Sequence, residues 1–359
     1  MAYAPGMISK DRDDFEAQAR AKLGPAAFGY FAGGAADEIT LRDNVESFQR
    51  LTLRAGPAID ASNVDLSTTL LGSPVAIAVG LSPVALQGLA HEEGELIAAR
   101  AAARSNIVAC LSTLSSQPLE TVAAEEAGTR WFQLYVLRDR DATRQLVERA
   151  AASGYKALVL TVDLPAVGYR DREIRDPLVL KGELGNMRGF PESDFRSGVG
   201  LAVDPSLNWA DLAWVRSLSN LPLVVKGILD PADARQAVDH GVDAIVVSNH
   251  GARQLDQSPA SIDALAGVVD AVGGRVEVYV DGGVRTGRDV AVALALGARA
   301  AFIGRPYVFA LAAAGESGVN RCIDAFAGQL REAMASCGAR AVSDLQPSLV
   351  SSATPPRGG

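Results

Sequence analysis

Cysteine is scarce in this 359-residue sequence: Cys110, Cys322 and Cys337 are an odd number with no Cys-x-x-Cys spacing. That excludes a disulfide framework and a zinc ribbon, predicts no metal site, and fits a reducing compartment. Long apolar runs are missing as well. No uninterrupted stretch reaches the roughly 18 residues of a membrane span, and the opening MAYAPGMISKDRDDFEAQARAKLG lacks the apolar core of a secretory signal. A soluble cytosolic protein is expected. Excess positive charge is also absent: 34 Lys and Arg stand against 42 Asp and Glu, a net charge of -8, which argues against broad electrostatic binding of nucleic acid. Any anionic ligand must meet a local cationic pocket. The 48% hydrophobic and 21% charged residues are ordinary globular usage and rule out wholesale disorder and a fibrous architecture.

From about Pro74 onward, short runs rich in Val, Ile, Leu and Ala recur: VAIAVG, IVACLS, WFQLYV, ALVLTVD, LVVKG, AIVVSN, EVYVDG and AAFIGR. Their continuous apolarity, without strict alternation, marks strands buried on both faces, as in parallel sheets covered by helices. Between them lie helical patterns such as RDATRQLVERAAAS and TGRDVAVALALG, several closed by the Gly that favours a helix end. Strand then helix, repeated, predicts an α/β fold: a (β/α)8 TIM barrel with an N-terminal helical extension. The extension is placed at residues 1–74, capping the barrel bottom or edge, and the barrel at 75–345, in one domain overall. A long loop at about 176–208 reads as a mobile insertion, and 346–359 as a flexible tail.

In such barrels the chemistry is built where the strands end. The runs here end in Ser112, Gln133 and Tyr135, Thr161 and Asp163, Lys226, Ser248 and His250, Asp281, and Arg305. A terminal Asp alone is usually a cap, and a lone Lys usually snorkels to water. Buried parallel strands, however, have no use for so many charges at one end, and their joint placement suggests a site. DGGVRTG and IGRP lie where barrels often bind phosphate, with glycines that let backbone N–H groups approach its oxygens and an Arg in each. NHGARQLD sets His250 and Arg253 three residues apart, a proton acceptor beside a carboxylate-binding guanidinium. That suits a small acid, with Asp163 orienting the imidazole. His91 and His240 sit near helix termini and read as structural.

With NHGARQLD, DGGVRTG, IGRP, TVD, FQLY and YFAGGAADEITL in this order, the chain resembles the FMN-dependent 2-hydroxy-acid oxidase and dehydrogenase family, of which glycolate oxidase is the familiar type. The resemblance runs from about Asp14 to about Leu345. It implies FMN on the barrel mouth, held by Pro83, Val84, Ala85, Ser112, Gln133, Thr161, Lys226 and Ser248. Asp281, Gly282, Gly283, Val284, Arg285, Gly304 and Arg305 are implied for the ribityl phosphate. Arg170, Arg253 and Tyr30 would hold the substrate carboxylate, and Tyr135 would meet its hydroxyl or carboxylate. His250 would be the base, with Asp163 as its partner, and Lys226 would stabilise negative charge on the flavin. The reaction implied is oxidation of an L-2-hydroxy acid to the 2-oxo acid. Whether His250 takes the α-hydrogen or the hydroxyl hydrogen is left open by residue identity.

Departures from the glycolate oxidase pattern concern the substrate. Leu114 stands where that enzyme has a Trp, Val84 where Thr is usual, and Phe31 where a second Tyr is common. A substrate bulkier than glycolate, longer aliphatic or mandelate-like, is expected; the other account of Leu114 is that it packs against the long loop. Ala85, rather than Gly, and the short polar insertion favour an oxidase that uses O2 and yields H2O2. A dehydrogenase passing electrons to a quinone or cytochrome is the alternative, and a barrel aldolase with a Lys226 Schiff base a distant one. A barrel that binds FMN or another phosphate without catalysis is a third reading. Assembly as a homotetramer is expected by family analogy.

Overall fold

The computed structural model describes residues 7–56, 60–179, 184–187 and 203–352. The strands are β1 (Leu51–Leu53), β2 (Thr68–Leu70), β3 (Ser73–Val75), β4 (Val79–Leu81), β5 (Val108–Leu111), β6 (Arg130–Leu134), β7 (Leu158–Thr161), β8 (Leu223–Ile228), β9 (Ala244–Val247), β10 (Glu277–Asp281), β11 (Ala300–Ile303) and β12 (Val350–Ser352). Strands β4 to β11 pair in parallel and close a barrel in chain order, β11 returning to β4. The fold is therefore the expected (β/α)8 barrel. Three of the helices between the strands start on side-chain caps that satisfy orphan N–H groups. Asp139 caps Arg140–Ala152, Asp230 caps Pro231–Asp239, and Thr286 with Asp289 forms a reciprocal capping box on Gly287–Ala295.

The interior of the barrel is solid. Trp131, Tyr279 and Phe302 pack with ring centroids 5.4, 5.5 and 5.7 Å apart. Because β6 is not a neighbour of β10 or β11, these rings must meet across the barrel axis. Burying three such rings contributes about 1.5–3 kcal/mol each. Gly80 makes room for them: a Cβ there would lie 2.4 Å from the Phe302 ring. Strand side chains alternate, so two residues beyond this layer the inward positions are Gln133 above Trp131 and Asp281 above Tyr279. The same alternation aims Ser112, Thr161 and Lys226 inward at the C-terminal end of the barrel.

Two boundaries differ from the sequence reading. The first apolar run was placed from Val75, but the barrel strand begins at Val79; Val75 ends an antiparallel hairpin of β2 and β3. Its turn, Leu71-Gly72, has φ of 46° and 78°, the two-residue geometry that suits a twisted hairpin. A boundary at 74/75 therefore runs through β3. The hairpin covers the barrel bottom, where Leu71 N–H donates to Glu277. The N-terminal helices go elsewhere: Met7–Lys22 packs along the long C-terminal helix Arg305–Cys337, and Ile39–Gln49 against Ser261–Val272. Helix Pro25–Ala32 reaches the mouth. Within 346–359, Pro347–Leu349 forms a 3-10 turn and β12 pairs with β1, so this part is not a free tail; residues 353–359 lie outside the described residues. So does most of the loop expected at 176–208. Of it, Gly185–Met187 forms a 3-10 turn and Val203 bridges to Leu137. No helix among the described residues is long and apolar enough to cross a membrane.

Candidate active site

The loop after β9 enters the mouth with three successive residues at positive φ: His250 at 59°, Gly251 at 62° and Ala252 at 64°. For His and Ala this is a costly backbone region, held only where the surroundings impose it. Here Asn249 imposes it. Its side chain exchanges two hydrogen bonds with Asn44, at 2.9 and 2.8 Å, and its Oδ1 accepts from Ala252 N–H. His250 Nδ1 lies 2.9 Å from Asp163 Oδ1, and Nε2 lies 3.4 Å from the Tyr135 hydroxyl. Burial pushes the imidazole below its ordinary value, outweighing the opposite pull of Asp163. Burial alone would raise Asp163, but His250 and Lys226 hold it below the usual carboxylate range. A carboxylate only accepts, so Nδ1 carries the proton and Nε2 presents a lone pair. Burial drives the Tyr135 phenol well up, keeping it a neutral donor. Asp163 sits this close because Gly227, at φ 109°, has no Cβ; one would lie 2.7 Å from Asp163 Cβ.

Beside the imidazole, Arg170 and Arg253 form a cationic pair. Arg170 donates from Nε to Arg253 O at 2.9 Å and from Nη2 to Gln254 at 3.0 Å. Arg253 donates from Nη1 to Tyr30 O and Gly33 O and lies 4.8 Å from the Tyr30 ring centroid. Both reach Glu173, at 3.3 Å from Arg170 and 2.8 Å from Arg253. Among the described residues Arg253 keeps two N–H groups uncommitted and Arg170 one, which together can meet an incoming carboxylate. Burial, and then the neighbouring Arg253 charge, lowers Arg170.

Deeper in the mouth lies a polar floor. Gln133 accepts from Ser112 at 3.2 Å and donates to Thr161 at 3.2 Å. Lys226 donates to Ser248 at 2.8 Å and pairs with Asp281 at 3.4 Å, which also accepts from Ser82. An ammonium held in that ion pair gives no support to a Schiff-base role. Gly282, Gly283 and Val284 lead from Asp281 to Arg285. Gly304 precedes Arg305, the first residue of the long helix, whose leading N–H groups have no intrahelical partners. The Arg305 guanidinium is turned to backbone carbonyls, of Phe31, Gly251 and Gly33, where sequence reading had aimed it at a phosphate alone. Pro83, Val84 and Ala85 line the near side half-buried, and a Cβ on Gly304 would meet nothing closer than Val84 Cγ2 at 3.6 Å. Leu114 is buried, on a loop stitched to residues 184–187 by Asn186, which donates to Ser112 O and Thr113 O. The mouth thus offers a polar floor, a cationic end beside a helix start, and an open flank. This donor set fits a flat heteroaromatic ring bearing a phosphate.

Sequence reasoning placed these side chains together but missed Glu173, Asn44, Asn186 and Asn249. Only Asn249 and Asn44 carry a sequence signal: Asn249 opens NHGARQLD, and Asn44 lies three residues after YFAGGAADEITL. The remaining histidines are structural in their surroundings: His240 stacks on Trp209 at 6.0 Å, and His91 accepts from Glu93 N–H.

A closed barrel with an acid–base pair, an arginine clamp and a phosphate-ready end defines a cofactor-dependent enzyme acting on a small carboxylate. Residues 19–352 match the family model described as FMN-dependent dehydrogenase, and the chain belongs to that family, with FMN as its cofactor. It is 43% identical to glycolate oxidase of Spinacia oleracea over 343 residues, 93% of each chain. It is 45% identical to an L-lactate oxidase of Nostoc sp., covering 94% of this chain and 96% of that one. The solved structure of mandelate oxidase superposes with a TM-score of 0.88 at 40% identity, over 93% of this chain and 96% of that one.

Proposed function

We propose that this enzyme oxidises an L-2-hydroxy acid to the 2-oxo acid with FMN, and passes the electrons to O2 as an oxidase giving H2O2. One observation carries this reading: the largely buried Asp163–His250–Tyr135 series ends beside the Arg170–Arg253 pair. The arginines and the Tyr30 phenol hold the substrate carboxylate. His250 Nε2 takes a proton from the substrate, from either the α-carbon or the hydroxyl, and Asp163 stabilises the imidazolium that forms. Tyr135 orients the hydroxyl or carboxylate. Ser112, Gln133, Thr161, Lys226 and Ser248 would hold the flavin ring, and Gly282 to Arg285 with Gly304 and Arg305 its phosphate. FMN, when bound, accepts the two electrons that leave the α-carbon. The Lys226 ammonium is preorganised to stabilise negative charge arising there.

The substrate is read as bulkier than glycolate, because Leu114 is smaller than an indole at the edge of the site. A cytosolic setting keeps Cys110, Cys322 and Cys337, all free and buried, reduced, and the resemblance favours a homotetramer. An anaerobic absorbance scan of the purified protein against a panel of 2-hydroxy acids tests cofactor, reaction and side-chain preference together. Bleaching of the flavin by lactate- or mandelate-like acids, then peroxide in equal amount on admitting air, is expected. Bleaching without peroxide would instead place it with the quinone- or cytochrome-coupled dehydrogenases, and an unbleached flavin with every acid would overturn the reading.

A further inference from the structure

The Gly33 carbonyl joins the two ends of the site. It accepts from Arg305 Nη2 at 2.7 Å and from Arg253 Nη1 at 3.1 Å. Arg305 also donates from Nε to Phe31 O and from Nη1 to Gly251 O, each at 3.0 Å. Three of its five N–H groups thus serve the backbone, leaving one on each terminal nitrogen. The segment from Tyr30 to Ala36 is also held locally: it begins in the helix Pro25–Ala32, Gly33 N–H donates to Gly29 O and Glu38 N–H donates to Ala35 O, both at 2.9 Å. Ala35 N–H donates to Ala252 O and Ala36 N–H to Tyr169 O, both at 2.8 Å, and Gly34 N–H donates to Glu38.

Arg305 is a half-buried cation facing carbonyl dipoles, with no carboxylate paired to it among the described residues. Burial first, then the Arg285 and Arg253 charges, push it well below the ordinary arginine value, against a weaker opposite pull from Glu38 and Glu16. A buried charge without a counter-charge is strongly destabilising. A dianionic phosphate at the start of the helix would provide one, using the two donors that remain. The other edge of the same rigid, planar group would then be fixed against Phe31, Gly33 and Gly251.

We propose that Arg305 is a positioning residue for the substrate side of the site: a phosphate at the helix start fixes its guanidinium, which seats Tyr30–Ala36, and with it Tyr30 and Arg253. The substrate-carboxylate site is then fully assembled only on the FMN-loaded protein. This rests on the function proposed for Tyr30 and Arg253, although the coupling itself is readable without turnover.

Amide hydrogen exchange on flavin-stripped protein tests it, alone and with FMN, riboflavin or inorganic phosphate. Peptides covering Tyr30–Ala36 are expected to exchange at least about tenfold more slowly with FMN than without. Phosphate should give part of that protection, and riboflavin, which lacks the phosphate, little. In Arg305→Met reconstituted with FMN, exchange should stay at the flavin-free level, with KM for the hydroxy acid raised more than kcat is lowered; Arg305→Lys should recover only part of either. Equal protection in stripped and loaded protein, or by riboflavin and FMN alike, would overturn the proposal using wild-type protein alone. Those results would leave the oxidase reading standing. Protection by FMN in a protein that no 2-hydroxy acid reduces would do the reverse.

Discussion

Asp163→Asn separates the acid–base pair from the rest of the site without removing volume. In the native protein Nδ1–H donates to Asp163 Oδ1 at 2.9 Å. As the imidazole takes a proton, that contact becomes an ion pair. A hydrogen bond to a charged group contributes about 1.5–3 kcal/mol, and opposite charges about 4 Å apart at an effective dielectric of about 20 attract by about 4 kcal/mol. Losing about 2–4 kcal/mol of this slows flavin reduction by about 30- to 1,000-fold. The pH dependence carries a second signature. With His250 as the proposed base, activity rises as pH passes upward through its pKa, which burial places below the ordinary 6.5 while Asp163 pulls it upward. Without the carboxylate the imidazole loses that upward pull, and the acid limb moves to still lower pH. Anaerobic rapid mixing at saturating substrate across the acid range reads both effects. A variant that reduces its flavin at the native rate, or whose acid limb moves to higher pH, would refute the role given to Asp163.

Gly227→Ala should lower the melting temperature and slow flavin reduction. The positive φ costs about 1–3 kcal/mol for a residue with a Cβ, and the new methyl displaces Asp163; an unchanged melting temperature would show that β8, whose pairing with β9 is irregular between Lys226 and Ile228, relaxes freely there. Leu114→Trp should shift kcat/KM from bulkier acids toward glycolate by about tenfold, the scale of a filled hydrophobic pocket, as measured by steady-state turnover of both. Glu173→Gln keeps an acceptor between Arg170 and Arg253 but removes its charge. An unreactive carboxylate should then bind about tenfold more tightly when titrated against the flavin absorbance; weaker binding would mean that Glu173 acts by holding the two guanidiniums in place.

The strands and the rim of the site were legible because a buried parallel strand leaves little room for ambiguity. Lys226 at the end of LVVKG, or Asp281 at the end of EVYVDG, contradicts its own apolar run and so stands out. Ordinary-looking residues with distant partners were not legible. Glu173 lies in a charged stretch and reads as solvated until tertiary structure sets it between two arginines. Asn44 and Asn249 are 205 positions apart, and nothing local signals that each satisfies the other. Arg305 reads as a cation beside glycines, yet the direction of its guanidinium depends on the carbonyls of Phe31 and Gly33, some 270 positions earlier. Val75 was misplaced because apolar residues of a short hairpin and of the strand that follows it form one unbroken run.

The stacked rings of Trp131, Tyr279 and Phe302 have a kinetic corollary. They close the barrel interior from below, so among the described residues acid and keto product meet the site from the C-terminal face. Molecules that occupy the same part of that face must come and go in turn. A slowly departing product therefore throttles reoxidation as well as the next binding event, and turnover would respond to product concentration before the chemical step itself became limiting.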